Sequence, residues 1–294
     1  MKIVIDEKAG FCPGVIKAVH IVETRLSENK PITALGSLIH NQKEIERLKK
    51  LGLKEVDQTL LEQEGTNWEA LKNEVLLIRS HGVSPQLLER IERFGFSYVD
   101  ATCSRVIRSQ KLIQQYHQKG YTIVIVGKIH HPEVKALLGF CDDKGIVVLQ
   151  PGDEDKITNK KKLLLLAQTT IDQKTFDYFA KQLRKGADQL VIKNTICSVV
   201  RKRHEQVKNL AQQSDLVIFV AGKNSSNSRV LFSIAQKQNP RSYFISSPDE
   251  LKKAWFENVQ TVGITGGAST PHWQLVEIKQ KIESEFSHPK QTNI

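Results

Sequence analysis

Hydrophobic residues recur along this chain in two alternating rhythms. Segments with apolar residues at helical spacing (Val15-Ile16 with Ala18-Val19, Val106-Ile107 with Leu112-Ile113, Val207 with Leu210-Ala211) each lead into a short unbroken apolar run ending in glycine. Those runs are Ile32-Thr33-Ala34-Leu35-Gly36, Tyr121-Thr122-Ile123-Val124-Ile125-Val126-Gly127 and Leu216-Val217-Ile218-Phe219-Val220-Ala221-Gly222. Each pairing predicts a helix followed by a short buried strand. A second apolar run follows in every case: Val75-Leu76-Leu77-Ile78, Leu163-Leu164-Leu165-Leu166 and Val262-Gly263-Ile264. Strands that are apolar on both faces belong to parallel sheets covered by helices on both sides. The pattern therefore predicts an α/β fold of three α/β/α units related by a pseudo-threefold repeat.

Cysteines mark the repeat. Cys12, Cys103 and Cys197 stand 91 and 94 residues apart, and each opens the frame Cys-x-x-Val-x-(Lys/Arg). From cysteine to strand-ending glycine is 24, 24 and 25 residues. A period this long lies far above that of stacked solenoids, so the repeat is one of domain-sized units. The units are expected at 13–100, 101–195 and 196–284. The N-terminal strand within 1–12 is expected to join the third, and 287–294 to form a disordered tail.

Composition narrows the class. With 39% hydrophobic and 26% charged residues the chain reads as an ordinary globular protein. No apolar run approaches the roughly 18 residues of a membrane span, and charges interrupt the N-terminal apolar stretch too early for a secretory signal. A cytoplasmic location, where thiols stay reduced, is the expectation. The net charge of +11 suits an anionic substrate or an acidic protein partner. The basic residues are scattered, and knots such as Lys160-Lys161-Lys162 and Arg201-Lys202-Arg203 match no nucleic-acid-binding module, which argues against nucleic acid as the principal ligand.

Single cysteines in repeated units are neither disulfide pairs nor CxxC metal clips. Buried alone, a cysteine is usually a small hydrophobe, and Cys141, outside the frame, is read that way. Three in register suggest one shared cluster held by three thiolates, with one iron left open as a Lewis acid. Beyond the apolar runs, where open α/β sheets bind ligands, stand His40, His81, His131, Thr169, Ser225, Ser226, Asn227 and Ser269. Taken singly, such residues serve as caps or turn formers, and Ser225-Ser226-Asn227-Ser228 would pass as a helix start. Together they make a set of neutral donors and imidazoles suited to a small, multiply charged anion such as a diphosphate. Glu133 is the only carboxylate in these loops and the natural proton donor if the chemistry expels a hydroxyl.

These segments carry a resemblance. Gly10-Phe11-Cys12-Pro13-Gly14-Val15, Arg79-Ser80-His81-Gly82, Asp100-Ala101-Thr102-Cys103, His131-Pro132-Glu133-Val134, Asn224-Ser225-Ser226-Asn227-Ser228 and Gly267-Ala268-Ser269-Thr270-Pro271 resemble, in order, the motifs of the 4-hydroxy-3-methylbut-2-enyl diphosphate reductases. The resemblance implies a trefoil of three α/β/α units around a 4Fe-4S cluster. It implies reduction of that allylic diphosphate to isopentenyl and dimethylallyl diphosphate at the end of the non-mevalonate isoprenoid pathway, with ferredoxin or flavodoxin as electron donor. On it, Cys12, Cys103 and Cys197 match the cluster ligands, and His40, His81, Ser225, Ser226, Asn227 and Ser269 the diphosphate pocket. His131, Glu133 and Thr169 match the surroundings of the hydroxymethyl arm. The chain departs from the pattern at Ser104-Arg105, where the family has proline after its second cysteine, and at Val199-Val200, where it has Ala-Thr. Two rivals use the same cysteines: another three-cysteine dehydratase such as quinolinate synthase, and a redox sensor with a nucleic-acid-binding surface. The Ser-Ser-Asn loop favours a phosphate ligand over the first.

Overall fold

The structure, a computed structural model, describes residues 1–58, 61, 71–158 and 161–286. The tail expected at 287–294 and Lys160 of the first basic knot lie outside them. Twelve strands among the described residues form three four-stranded sheets, and every strand pairing is parallel. The α/β reading with a threefold repeat is borne out.

The repeats can be followed strand by strand. The first sheet takes β2 (Ile32–Leu35), β3 (Lys54–Val56), β4 (Val75–Ile78) and β5 (Tyr98–Asp100) in the order β3-β2-β4-β5. The second takes β6 (Thr122–Val126), β7 (Ile146–Val148), β8 (Lys162–Ala167) and β9 (Gln189–Ile192) in the same relative order. The third uses β10 (Leu216–Val220), β11 (Ser242–Ile245) and β12 (Thr261–Gly266), and its fourth place is filled by β1 (Lys2–Ile5) from the N-terminus. In each sheet the chain order reverses between the two central strands, β2/β4, β6/β8 and β10/β12. Connections leave on opposite faces there and open a crevice at the strands' carboxyl ends.

Helices cover the faces. In the second sheet, Val124, Val126, Leu163 and Leu165 pack on Phe176, Phe179 and Leu183 of α6 (Gln173–Leu183). The alternate residues Ile123, Ile125, Leu164 and Leu166 pack on Ile113 of α4 (Ser104–Gln118) and on Val134 and Leu137 of α5 (Pro132–Gly139). The third sheet repeats this. Ile218, Val220 and Ile264 face Leu275, Ile278 and Ile282 of α9 (His272–Glu285). Val217 and Phe219 face Val207 and Ala211 of α7 (Ser198–Gln212) and Leu231 and Ala235 of α8 (Ser226–Gln238). In the first sheet Leu35, Leu76 and Ile78 meet Leu87 and Ile91 of α3 (Pro85–Arg93). Each buried aliphatic side chain of this kind contributes about 1.5–3 kcal/mol. Among the described residues the remaining α-helices are α1 (Pro13–Ser27) and α2 (Gln42–Lys50). No helix among the described residues is long and apolar enough to cross a membrane.

The chain divides into two compact units. One comprises Met1–Val15, Ile39–Arg47 and Ser198–Ile294 and holds the third sheet. The other comprises Ile16–Leu38 and Leu48–Cys197 and holds the first two. Within the former, the segment around His40 is seated by a glycine. A Cβ at Gly222 would overlap the His40 carbonyl oxygen and stand 3.0 Å from the Asn41 Cα. Backbone cannot retreat as a flexible side chain can. Gly222→Ala should therefore cost about 1–3 kcal/mol in chemical denaturation, whereas Gly120→Ala, with nothing within 4 Å of its Cβ position but φ +77°, should cost only the backbone strain. Equal losses at both would show that the close approach to His40 is not a constraint.

Candidate functional site

Every cysteine of the repeat stands in the same local geometry. Cys12, Cys103 and Cys197 immediately precede α1, α4 and α7, after the edge strands β1, β5 and β9. Each backbone N–H donates to a carbonyl in the loop that follows the adjacent strand: Cys12 to Ala268 (3.1 Å), Cys103 to Ser80 (3.1 Å) and Cys197 to Thr169 (2.8 Å). Cys103 takes the N-cap position with extended backbone, yet its sulfur makes no capping bond. All three are half-buried, and none is in a disulfide. Thiols heading helices fit a thiolate-ligated iron–sulfur group, since the partial positive charge of a helix N-terminus favours an anionic ligand. Cys141 differs. It is buried, its S–H donates to the Leu138 carbonyl at 3.2 Å, and burial pushes its thiol up to about 11.

In the unit built on the third sheet, loops after β2, β10 and β12 collect five of the expected binding residues. Ser225 caps α8, its Oγ accepting from the Ser228 N–H (3.3 Å) and the Ser228 hydroxyl (2.8 Å). Ser226 opens the helix. Asn227 is 6% exposed, and neither atom of its amide meets a hydrogen-bond partner among the described residues. Such a buried amide suits a polar ligand, because leaving it unbonded costs free energy. Ser269 is buried and donates to the His40 carbonyl at 3.4 Å. Asn41 fastens this loop twice: its Oδ1 accepts the Glu44 N–H (3.2 Å), and its Nδ2 donates to Gln274 on α9 (2.7 Å). Hydroxyl and amide donors at a helix N-terminus are groups of the kind that anion sites use.

The other unit gathers Glu133, His131, His81 and Thr169. Glu133 lies in the first turn of α5 and is 2% exposed. Its carboxyl accepts the Thr169 N–H at 2.7 Å and the Thr169 hydroxyl at 2.7 Å. Burial pushes this carboxyl up to about 7, against the pull of the two Thr169 bonds. His131 caps α5, its Nδ1 accepting the Glu133 N–H at 3.1 Å. The proton of the neutral ring is thereby assigned to Nε2. The His81 ring stands edge-on to it, with centroids 5.1 Å apart. Thr169 is the hinge of the arrangement: side chain and N–H hold Glu133, and its carbonyl holds the Cys197 N–H.

Sequence reasoning passed over the residues that brace these loops. Buried Gln168 accepts the Lys128 N–H (3.0 Å) and donates to the Thr170 hydroxyl (2.9 Å), tying the loop after β6 to the loop after β8. A Cβ at Gly127 would lie 3.0 Å from the Cβ of Gln168. Arg79, buried two residues before His81, lays its guanidinium where a Gly36 Cβ would be and donates to the Ser37 carbonyl at 3.0 Å. Burial lowers its pKa, with Glu55 and Asp57 opposing. The signals available in sequence were adjacency for Gln168, which precedes Thr169, and the motif Arg79-Ser80-His81-Gly82 for Arg79.

An α/β protein with one thiol heading a helix in each of three repeats, and donors at the carboxyl ends of its parallel strands, is the class that fold and site define. Residues 3–283 match the family model described as LytB protein, and the chain belongs to that family. It is 36% identical over 285 residues to the 4-hydroxy-3-methylbut-2-enyl diphosphate reductase of Aquifex aeolicus, covering 96% of both chains. To the enzyme of the same name from Helicobacter hepaticus it is 37% identical over 284 residues, covering 96% of this chain and 99% of the relative. A solved structure of (E)-4-hydroxy-3-methyl-but-2-enyl diphosphate reductase, described as the terminal enzyme of the non-mevalonate pathway, superposes with a TM-score of 0.73 at 36% identity, covering 96% and 99% of the two chains. The E-1-hydroxy-2-methyl-but-2-enyl-4-diphosphate reductase of Plasmodium falciparum shares the fold at a TM-score of 0.84 and 23% identity, covering 97% of this chain and 88% of that one. The resemblance read from the motifs is borne out.

Glu133 makes stability pH-dependent. Its carboxyl is raised from the ordinary 4.5 to about 7 on folding, so the native state binds the extra proton between those values. The associated stability is fully present below pH 4.5 and is lost as pH rises through about 7. Measured by denaturation across this range, the wild type should lose stability relative to Glu133→Gln as pH rises. Parallel curves would mean that the carboxyl titrates normally.

Proposed function

We propose that this chain reduces 4-hydroxy-3-methylbut-2-enyl diphosphate to isopentenyl and dimethylallyl diphosphate, consuming two electrons and two protons and releasing water, at the end of the non-mevalonate isoprenoid pathway. Membership of the LytB family and the names of its relatives support the reaction. The observation that carries the chemistry is the bonded line Glu133–Thr169–Cys197, which joins a buried acid to a cysteine through one residue. Cys12, Cys103 and Cys197 would hold a 4Fe-4S cluster. When bound, such a cluster with one open iron supplies the electrons and a Lewis-acid site for the carbon–oxygen bond to be broken.

The protein residues bind and protonate. Ser225, Ser226, Asn227 and Ser269, with His40 and His81, take the diphosphate through neutral donors and imidazoles. His131 and Thr169 face the hydroxymethyl arm. Near neutral pH Glu133 is poised between its two forms. In the acid form its O–H donates to the Thr169 oxygen, and the Thr169 hydroxyl proton turns outward to the departing oxygen. Glu133 then remains as a carboxylate held by the two Thr169 bonds seen in the structure. The net charge of +11 complements an acidic electron carrier such as ferredoxin or flavodoxin.

Serine in place of Cys12, Cys103 or Cys197 should abolish stable iron binding after anaerobic reconstitution, while Cys141→Ser should leave iron content unchanged. Equal iron loss at Cys141 would sink the three-ligand assignment. In an anaerobic assay with a chemical reductant, the reconstituted wild type should consume the allylic diphosphate. Glu133→Gln should load iron normally yet lose about 10²–10⁴-fold in turnover. Near-normal turnover by this variant removes Glu133 from proton delivery, and an iron-loaded wild type without turnover refutes the proposed reaction.

A further inference from the structure

Each repeat cysteine is preceded by the same kind of turn. An aspartate or asparagine stands where the edge strand ends, and its side-chain oxygen accepts the backbone N–H two residues on. After β1, Asp6 Oδ1 accepts the Lys8 N–H at 3.0 Å. At the end of β5, Asp100 Oδ1 accepts the Thr102 N–H at 2.7 Å, and the Thr102 hydroxyl as well. After β9, Asn194 Oδ1 accepts the Ile196 N–H at 3.1 Å. Aspartate and asparagine have the short polar side chains that close such an Asx turn. The three turns otherwise share no sequence: they read Asp6-Glu7-Lys8, Asp100-Ala101-Thr102 and Asn194-Thr195-Ile196.

At two of the cysteines the turn ends on the residue just before the thiol. Thr102 precedes Cys103 and Ile196 precedes Cys197, and both are buried, where water is a poor substitute for the side-chain oxygen. The next N–H is that of the cysteine itself, bound by the Ser80 carbonyl at 3.1 Å for Cys103 and by the Thr169 carbonyl at 2.8 Å for Cys197. The Cys103 carbonyl is held too, accepting the Ile107 N–H at 3.0 Å. With backbone fixed on both sides of its Cα, this thiol keeps only rotation about Cα–Cβ, which has a few staggered positions. The approach to Cys12 is longer, six residues from Asp6, and has other holds. The Ala9 N–H donates to the Asp6 carbonyl at 2.9 Å, and Arg203 of α7 donates to the Gly10 carbonyl.

Every turn is also tied to a neighbouring element. Thr265 of β12 donates its hydroxyl to Asp6 Oδ2 at 2.9 Å, Lys17 of α1 donates to the Asp100 carbonyl at 3.0 Å, and Asn194 Nδ2 donates to Gln173 of α6 at 3.0 Å. A carboxylate and a neutral amide fill the same role at Cys103 and Cys197, so the turn requires an oxygen acceptor and not a charge. We propose that Asp100 and Asn194 are positioning residues for Cys103 and Cys197: their side-chain oxygens fix the peptide ahead of each thiol, so that both ligands stand in place before iron arrives. This rests on the proposed function in requiring these cysteines to be cluster ligands.

The test compares full-length wild type with Asp100→Ala, Asp100→Asn, Asn194→Ala and Asn194→Asp. Amide hydrogen exchange at Thr102, Cys103, Ile196 and Cys197 is followed in the iron-free protein. The rate of iron loss to a chelator is followed after anaerobic reconstitution. Each alanine variant should speed exchange at its own cysteine and the residue before it by about tenfold or more, the expected loss of a buried hydrogen bond. Iron loss should quicken in the same variants. Asp100→Asn and Asn194→Asp keep the acceptor and should stay near the wild type in both rates. Wild-type exchange and iron retention in the alanine variants would overturn the proposal. So would exchanged variants that behave like alanine, since charge or the outer bond would then be what counts. A lowered melting temperature with wild-type iron retention marks a merely structural role and overturns it as well. Should alanine prevent folding at position 100, Asp100→Ser closes the turn more weakly and should give intermediate rates; wild-type rates there count against the proposal. A wild type that binds no iron would refute the cluster reading, while exchange in the iron-free protein would still decide whether the two turns hold the cysteine peptides.

Discussion

Parallel pairing is the constraint on which the rest of this molecule depends. Neighbouring parallel strands cannot be joined by a hairpin, so each connection crosses back over the sheet as a helix or long loop, and all strands of a sheet end on the same edge. That edge is also where the following helices begin. Strand carboxyl ends and helix N-termini therefore coincide, and unpaired backbone N–H groups collect there. Three cysteines, three histidines, the Ser225–Asn227 cap, Ser269, Thr169 and Glu133 all stand at such junctions. One topological rule places them, used three times.

The same edge sets the electrostatics. Glu133 is buried by the packing that covers β6 and β8, and the cost of charging it there outweighs two good hydrogen bonds from Thr169. The balance leaves its carboxyl near neutrality, where an acid can both give and regain a proton. Cys141, packed where α5 ends against the second sheet, is driven by the same desolvation far from ionisation. Burial thus makes one group a candidate acid and the other an inert filler. The difference is that Glu133 opens on a strand end, whereas Cys141 lies at the far end of its helix.

The repeats are not equivalent in detail. The third sheet is completed by β1, so Cys12 reaches its helix from the opposite end of the chain, and its approach is tied down by α7 through Arg203. A strand borrowed across the whole sequence needs an anchor that locally connected repeats obtain from their own turns. At Cys103 the short turn Asp100–Thr102 is self-braced, the Asp100 carboxylate accepting from both the N–H and the hydroxyl of Thr102.

How much of this was legible in the sequence divides along a physical line. Apolar runs ending in glycine, helical spacing after each cysteine and the even cysteine intervals are local patterns, and local patterns report secondary structure and burial directly. From them the α/β class, the threefold repeat and the loops bearing His40, His131 and Ser225–Asn227 could be read. Which groups those loops would meet could not. The Gln168 brace between two loops, the Arg79 guanidinium filling the space beside Gly36, the Asn41–Gln274 bond and the Arg203 grip on Gly10 join residues that no periodicity relates. The near-neutral carboxyl of Glu133 likewise depends on how completely other elements exclude water from it. Sequence alone determined where polar residues would interrupt the apolar pattern. Only the tertiary structure decided their partners and their charge, because hydrogen bonding and desolvation depend on distances between segments far apart in the chain.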